Sequence, residues 1–158
     1  MLAYFVSVWQ RKTAALLKLN YSKIKGLRSK LTTSIVIGDE TNTAITVVSS
    51  SYTDYENVEV APSKGNLLRD VNPAEIAFQY GAAYTQNAFY PSELAYLRNP
   101  YILRDFRGQT VVVNPIHYNP VTKVLRVYDE LVVEVKEIPG NPVNPLYRET
   151  SSVKVAKG

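Results

Sequence analysis

Cysteine is absent from the 158-residue chain, and histidine occurs once, at His117. Without thiols there is no disulfide, thiolate zinc site, iron–sulfur cluster or cysteine nucleophile within the chain. A single imidazole also excludes a multi-histidine metal centre. No H-E-x-x-H, P-loop or G-x-G-x-x-G occurs, and no G-x-S-x-G that would place a serine on a nucleophile elbow. No stretch approaches the roughly 18 apolar residues of a membrane-spanning helix. These absences leave no cofactor, no metal and no catalytic residue to assign, and the chain reads as a non-enzyme. His117, in an alternating segment beside Pro115, reads as structural. The missing cysteines do not fix the compartment, since a domain of this size can fold without bridges in either redox setting.

Acidic residues are absent from the first 38 positions, which hold seven basic ones: Arg11, Lys12, Lys18, Lys23, Lys25, Arg28 and Lys30. The other 120 residues hold 11 basic and 14 acidic side chains, so a basic arm precedes a mildly acidic body. The body gives no reason to expect nucleic-acid binding. Within the arm, Leu2, Phe5, Val6 and Trp9 follow i, i+3, i+4, i+7 spacing, and Leu16 and Leu17 resume the stripe. That spacing predicts a basic amphipathic helix within residues 1–30, stopped near Gly26. Such a helix packs on the body or lies on an anionic membrane surface, and the third reading is an irregular start left by gene truncation. A secretory signal is not visible, because the charges follow the short apolar run instead of preceding it.

From Leu31 to Ile138, β-branched and aromatic residues dominate in short runs broken by Gly, Pro, Asn and Asp. Ser34–Ile37, Thr43–Ser50 and Tyr55–Val60 read as strands, and Thr110–Tyr118 and Lys123–Glu137 as two arms of a hairpin. Asn119-Pro120-Val121-Thr122 is its turn. In the last strand Leu125, Val127, Leu131, Val133 and Val135 alternate with Arg126, Glu130, Glu134 and Lys136, one face apolar and one wet. Asp129 interrupts the apolar face and marks a bulge or a charged partner. One-sided strands belong to antiparallel sheets, and two such sheets bury their apolar faces against each other. The expected fold is therefore all-β, an antiparallel β-sandwich over 31–138, with the basic helix before it. Pro115 demands an edge or a bulge at its position.

Residues 62–109 alternate little and hold four prolines, so they read as a long surface excursion. Asn72-Pro73 caps a turn of helix at Ala74–Ala77. Tyr80, Tyr84, Phe89, Tyr90, Tyr96 and Tyr101 can pin the excursion by their ring faces. In Leu103-Arg104-Asp105-Phe106-Arg107, the charges read as inter-loop ion pairs, with a site for an acidic partner as the other reading. Residues 139–158 read as an extended, mobile tail, with Pro139, Pro142 and Pro145 every third residue.

Three segments resemble the propeptide of gingipain-type cysteine peptidases of Bacteroidota: ENVEVAPSKG (56–65), YGAAYTQNAFYPSELAYLRNPYILRDFRGQTVVV (80–113) and YNPVTKVLRVYDELVVEV (118–135). The likeness runs over about residues 33–137. Residues 1–30 match nothing in that propeptide, and the catalytic domain with its histidine and cysteine does not follow Ile138. The resemblance implies a β-sandwich prodomain that helps a cysteine endopeptidase fold and blocks its cleft until removed. In arginine-specific members an arginine beyond the APSKG-like motif fills the primary specificity pocket. By position this is Arg69, flanked by Lys64, Gly65, Leu67, Leu68 and Asp70. Arg148, beyond the Pro-rich stretch, is in position to be a processing site. An extracellular or periplasmic setting is implied as well. Two other readings stay open: a glycan-binding or adhesion module using Tyr84 or Tyr90, and a non-functional propeptide fragment.

Overall fold

The computed structural model describes residues 7–11, 14–20 and 29–148. Nine strands follow in order: β1 (Ser7–Arg11), β2 (Ala14–Asn20), β3 (Leu31–Val36), β4 (Asn42–Tyr55), β5 (Ala95–Leu97), β6 (Tyr101–Leu103), β7 (Phe106–Val113), β8 (Ile116–Asn119) and β9 (Val124–Ile138). They form two antiparallel sheets. In the first, β9 is central: β4 pairs along its length, while β8 and β2 share its other edge and β1 pairs with β2. In the second, β7 is central, with β3 on one edge and β5 and β6 on the other.

The sheets meet face to face. Leu17, Leu131, Val133 and Val135 from the first pack on Ile35, Val111 and Val113 of the second, and on Ile37 at its end. At roughly 1.5–3 kcal/mol per buried aliphatic side chain, this cluster is the main apolar contribution to stability. The alternation of β9 is realised: Val127, Leu131, Val133 and Val135 are buried. Asp129 is the residue that β9 inserts between its pairs to Ser51 and Tyr52, and it accepts a hydrogen bond from Thr53 Oγ1 at 2.7 Å. It is a bulge residue with a polar partner, so its carboxylate never enters the core.

The fold corrects several expectations. Where a helix is expected within residues 1–30, the described residues form β1 and β2. The free edge of β9 offers unpaired backbone groups, and Leu17, paired opposite Val133, drops into the core. Long-range pairing thus overrides a locally helical spacing. The remaining positions of that stretch, 1–6, 12–13 and 21–28, and the membrane-surface contact expected of them, lie outside the described residues. The strand expected over Thr110–Tyr118 is two strands in different sheets, divided at Asn114–Pro115. Proline lacks the donor a ladder requires, and the chain crosses there from β7 to β8, with Pro115 O accepting from Tyr128 N at 2.8 Å. Only β8 forms the hairpin with β9. Its turn is as read: Asn119 Oδ1 accepts from Val121 N at 3.1 Å and Thr122 N at 3.3 Å. No separate strand occupies Tyr55–Val60; β4 runs to Tyr55 and the chain then breaks at Asn57, whose φ is +57°.

Candidate functional site

The excursion between β4 and β5 leaves and returns at one place, the β8–β9 hairpin. On the way out, Val58 N donates to Lys123 O at 2.9 Å and Val58 O accepts from Tyr118 Oη at 2.9 Å. On the way back, Tyr90 and Tyr118 exchange two backbone hydrogen bonds of 2.9 Å, and Asn119 Nδ2 donates to Asn87 Oδ1 at 2.9 Å. Some thirty residues are thereby closed into one loop on a rigid base.

Within it a smaller loop is closed by one lysine. Lys64 Nζ donates to Pro73 O at 2.5 Å and lies 4.4 Å from the centre of the Phe78 ring. Gly65 follows at φ +76°, a conformation that favours glycine, with Ser63 Oγ accepting from its N–H at 3.2 Å. On the far side Asn72 caps the 3-10 turn Pro73–Glu75: its Oδ1 accepts from Ala74 N at 3.1 Å. Between these two anchors, Val71 N donates to Leu68 O at 3.2 Å and closes a turn with Arg69 and Asp70 at its centre. Leu67 is half-buried, whereas Leu68, 75% exposed, Arg69 and Asp70 face solvent. Among the described residues nothing takes a hydrogen bond or an ion pair from the Arg69 guanidinium. The turn therefore displays a fully donor-bearing cation at its apex, beside an apolar neighbour.

Arg148 is placed differently. Its Nε donates to Asp39 Oδ2 at 2.6 Å and its Nη2 to Asp105 O at 2.7 Å. The hydrogen bond from Arg148 holds the Asp39 carboxyl below its ordinary range, with the charges of Arg148 and Arg107 adding to the effect. Residues 149–158 lie outside the described residues.

His117 is buried, its ring edge-on to Tyr128 at 5.2 Å between centroids, and its Nε2 has no hydrogen-bond partner among the described residues. Desolvation pushes its pKa down, an effect reinforced by the nearby Arg126 and opposed by a backbone hydrogen bond at Asn114. Among the described residues no hydroxyl or carboxylate is bonded to it as a triad requires. Arg126 forks onto Asp54 with two bonds of 2.8 Å and stacks between the rings of Tyr52 and Phe89, at 3.8 and 4.4 Å. Among the described residues no group of three His, Asp or Glu side chains is placed to hold a metal ion. Of the excursion's rings, Tyr84 is half-buried and meets Tyr80 edge-on at 4.9 Å, while Tyr80 and Tyr90 are exposed. Neither reading of the Leu103–Arg107 segment holds for Arg107: it is fully buried and binds four backbone carbonyls, with no carboxylate among its hydrogen-bond partners.

The family model Propeptide_C25 matches residues 27–156. The chain belongs to this family of gingipain-type propeptides. The propeptide is 47% identical over 107 residues to gingipain R1 of Porphyromonas gingivalis, and 45% identical over 107 residues to gingipain R2 of the same organism. Each match covers 68% of this chain but only 11% and 14% of those proteins, so the chain spans a small part of their length. Among solved structures, the complex of P. gingivalis RgpB pro- and mature domains contains a chain that superposes with a TM-score of 0.78 at 31% identity, covering 92% of this chain and 89% of that one. A structure addressing zymogenic latency of gingipain K from the same organism matches at a TM-score of 0.63 and 15% identity, a likeness of fold, over 85% of this chain and 93% of that one.

The sequence singled out Arg69 and its neighbours, and they lie on one loop, with Arg69 and Asp70 at the centre of its turn and Lys64 at its closure. It gave no sign that Lys64 locks that turn, because a lysine bonded to a carbonyl nine residues on leaves no periodic trace. It also missed Asp39 as a partner of Arg148, a contact across 109 positions.

Proposed function

We propose that this propeptide is an inhibitor and folding aid of a gingipain-type cysteine endopeptidase, and that the Leu68–Val71 turn enters the peptidase cleft with Arg69 filling its primary specificity pocket. The observation that carries the reading is the Arg69 guanidinium, unpaired among the described residues, at the apex of a loop that is closed on itself. A guanidinium forks onto a pocket carboxylate in a geometry lysine cannot copy. Lys64, Gly65 and Leu67 hold the turn in shape before binding, which reduces the entropy lost on docking. Leu68 supplies apolar contact on one side of Arg69 and Asp70 continues the turn on the other. The Leu68 carbonyl is already bonded to Val71 N, so the peptide after Arg69 is held in a turn, away from the extended form a protease cuts. The chain has no cysteine to act as a peptidase nucleophile, and in this reading it does no chemistry itself. Arg148 is the point at which the propeptide is released, and the setting is extracellular or periplasmic, as for a secreted peptidase.

Titrating the chain against an arginine-specific gingipain-type peptidase tests this. The expected result is one-to-one inhibition that a small arginine amide substrate relieves competitively. Undiminished peptidase activity at saturating chain, or inhibition indifferent to substrate concentration, would contradict it.

A further inference from the structure

The stretch after β9 is strapped to the sandwich at several points. Arg107 reaches it from within the body: Nε donates to Asn144 O at 2.8 Å and Nη2 to Val143 O at 2.7 Å, while Nη1 holds Gly38 O at 2.5 Å and Thr41 O at 2.7 Å in the β3–β4 corner. Asn42 bonds the strap twice, Nδ2 to Asn141 O at 2.7 Å and Oδ1 from Val143 N at 3.3 Å. Leu146 N donates to Asp39 O at 2.9 Å. The last described residue, Arg148, forks onto Asp39 and bonds Asp105 O. Its side chain is 55% exposed, yet its guanidinium is engaged on two sides.

A peptidase that reads arginine needs that guanidinium in its own pocket and the backbone around it extended. Neither is compatible with the docked strap: one guanidinium fork cannot serve Asp39 and a pocket carboxylate together, and Leu146 N is already bonded to the body. Cleavage requires local opening first.

We propose that the strap is a proteolytic gate: Asp39, Asn42 and Arg107 withhold Arg148 from an arginine-reading peptidase until the strap undocks. Once it is open, hydrolysis proceeds on an external enzyme: the Arg148–Glu149 peptide bond breaks, water adding its hydroxyl to the Arg148 carbonyl and its proton to the Glu149 amine. The gate deepens the reading of Arg148 as a release point and is independent of the role of Arg69.

Trypsin supplies the probe, with the full chain under native conditions and products followed by mass spectrometry. Cleavage after Arg126, inside β9, reports global unfolding and is the internal reference. Cleavage after Arg148 is expected to be about tenfold slower than in a free peptide spanning 141–154. Asp39→Asn and, separately, Asn42→Ala are each expected to raise it about threefold to fivefold, the scale of one exposed ion pair or hydrogen bond, with the Arg126 rate unchanged. Equal Arg148 rates in wild type and both variants, wild type as fast as the peptide, or both sites accelerating together would overturn the gate. Because trypsin stands in for the family's peptidase, such a result counts against the gate and leaves the release point standing.

Discussion

Arg107 carries more of the molecule than its sequence setting indicates. Its guanidinium has no exposed surface and four of its five donors end on carbonyls from the β3–β4 corner and the strap. A buried cation is tolerated only where its donors are met. Lysine has three donors at one point and cannot span carbonyls from two directions. Arg107→Lys is expected to lower unfolding free energy by about 2–4 kcal/mol, measured by urea denaturation; a change below about 0.5 kcal/mol would show that the clamp is idle. None of this was legible beforehand, since the carbonyls it joins come from positions 38, 41, 143 and 144, and an arginine in a run with two other charges reads as one half of an ion pair. His117 is buried and edge-on to Tyr128. Its depressed pKa sets a pH dependence. The folded state disfavours the protonated ring and the unfolded state does not, so stability is full above the ordinary value of 6.5 and falls as pH drops from there toward the folded pKa. The melting temperature is expected to decline over that window, and His117→Gln to remove the decline; an unchanged slope in the variant would assign it elsewhere.

At the level of elements, legibility followed periodicity. β9 announces itself because its apolar residues keep one phase on both sides of the Asp129 bulge. β2 does not, since Ala14-Ala-Leu-Leu-Lys-Leu-Asn20 fits a helix as well as a strand and the deciding partner lies more than a hundred positions away on β9. The Asn114–Pro115 corner was half legible: proline forbids a regular ladder, but whether the chain bulges or changes sheet depends on where the second sheet sits. The displayed turn shows the same division. Asn72-Pro73 is a local capping signal and was read directly. The Lys64 lock, built from one carbonyl and one ring face, was not. Lys64→Ala is expected to leave the melting temperature within about 2 °C, because the contact is exposed, while raising amide hydrogen exchange across residues 65–72 about fivefold or more. Unchanged exchange there would mean that the turn holds its shape without the lysine.

On the scale of the whole molecule, the sandwich works as a mount. Two sheets bury a common core, the β8–β9 hairpin grips both ends of the excursion, and the opposite corner near Gly38–Thr41 anchors the strap. One body thus carries a displayed cation on one loop and a restrained arginine at the end of another segment. The two-layer β fold followed from composition and alternation alone. The family followed from the three matched stretches, and neither composition nor alternation would have found it. The central claim is that Arg69, and not the general bulk of the loop, blocks the peptidase. The inhibition constants of the wild-type chain and of Arg69→Ala, measured side by side against an arginine-specific gingipain-type peptidase, test it most directly. A buried, paired arginine at the heart of an interface is worth about 2–5 kcal/mol when truncated, so the variant is expected to inhibit about thirtyfold to several-thousandfold more weakly. Equal inhibition constants would contradict the account.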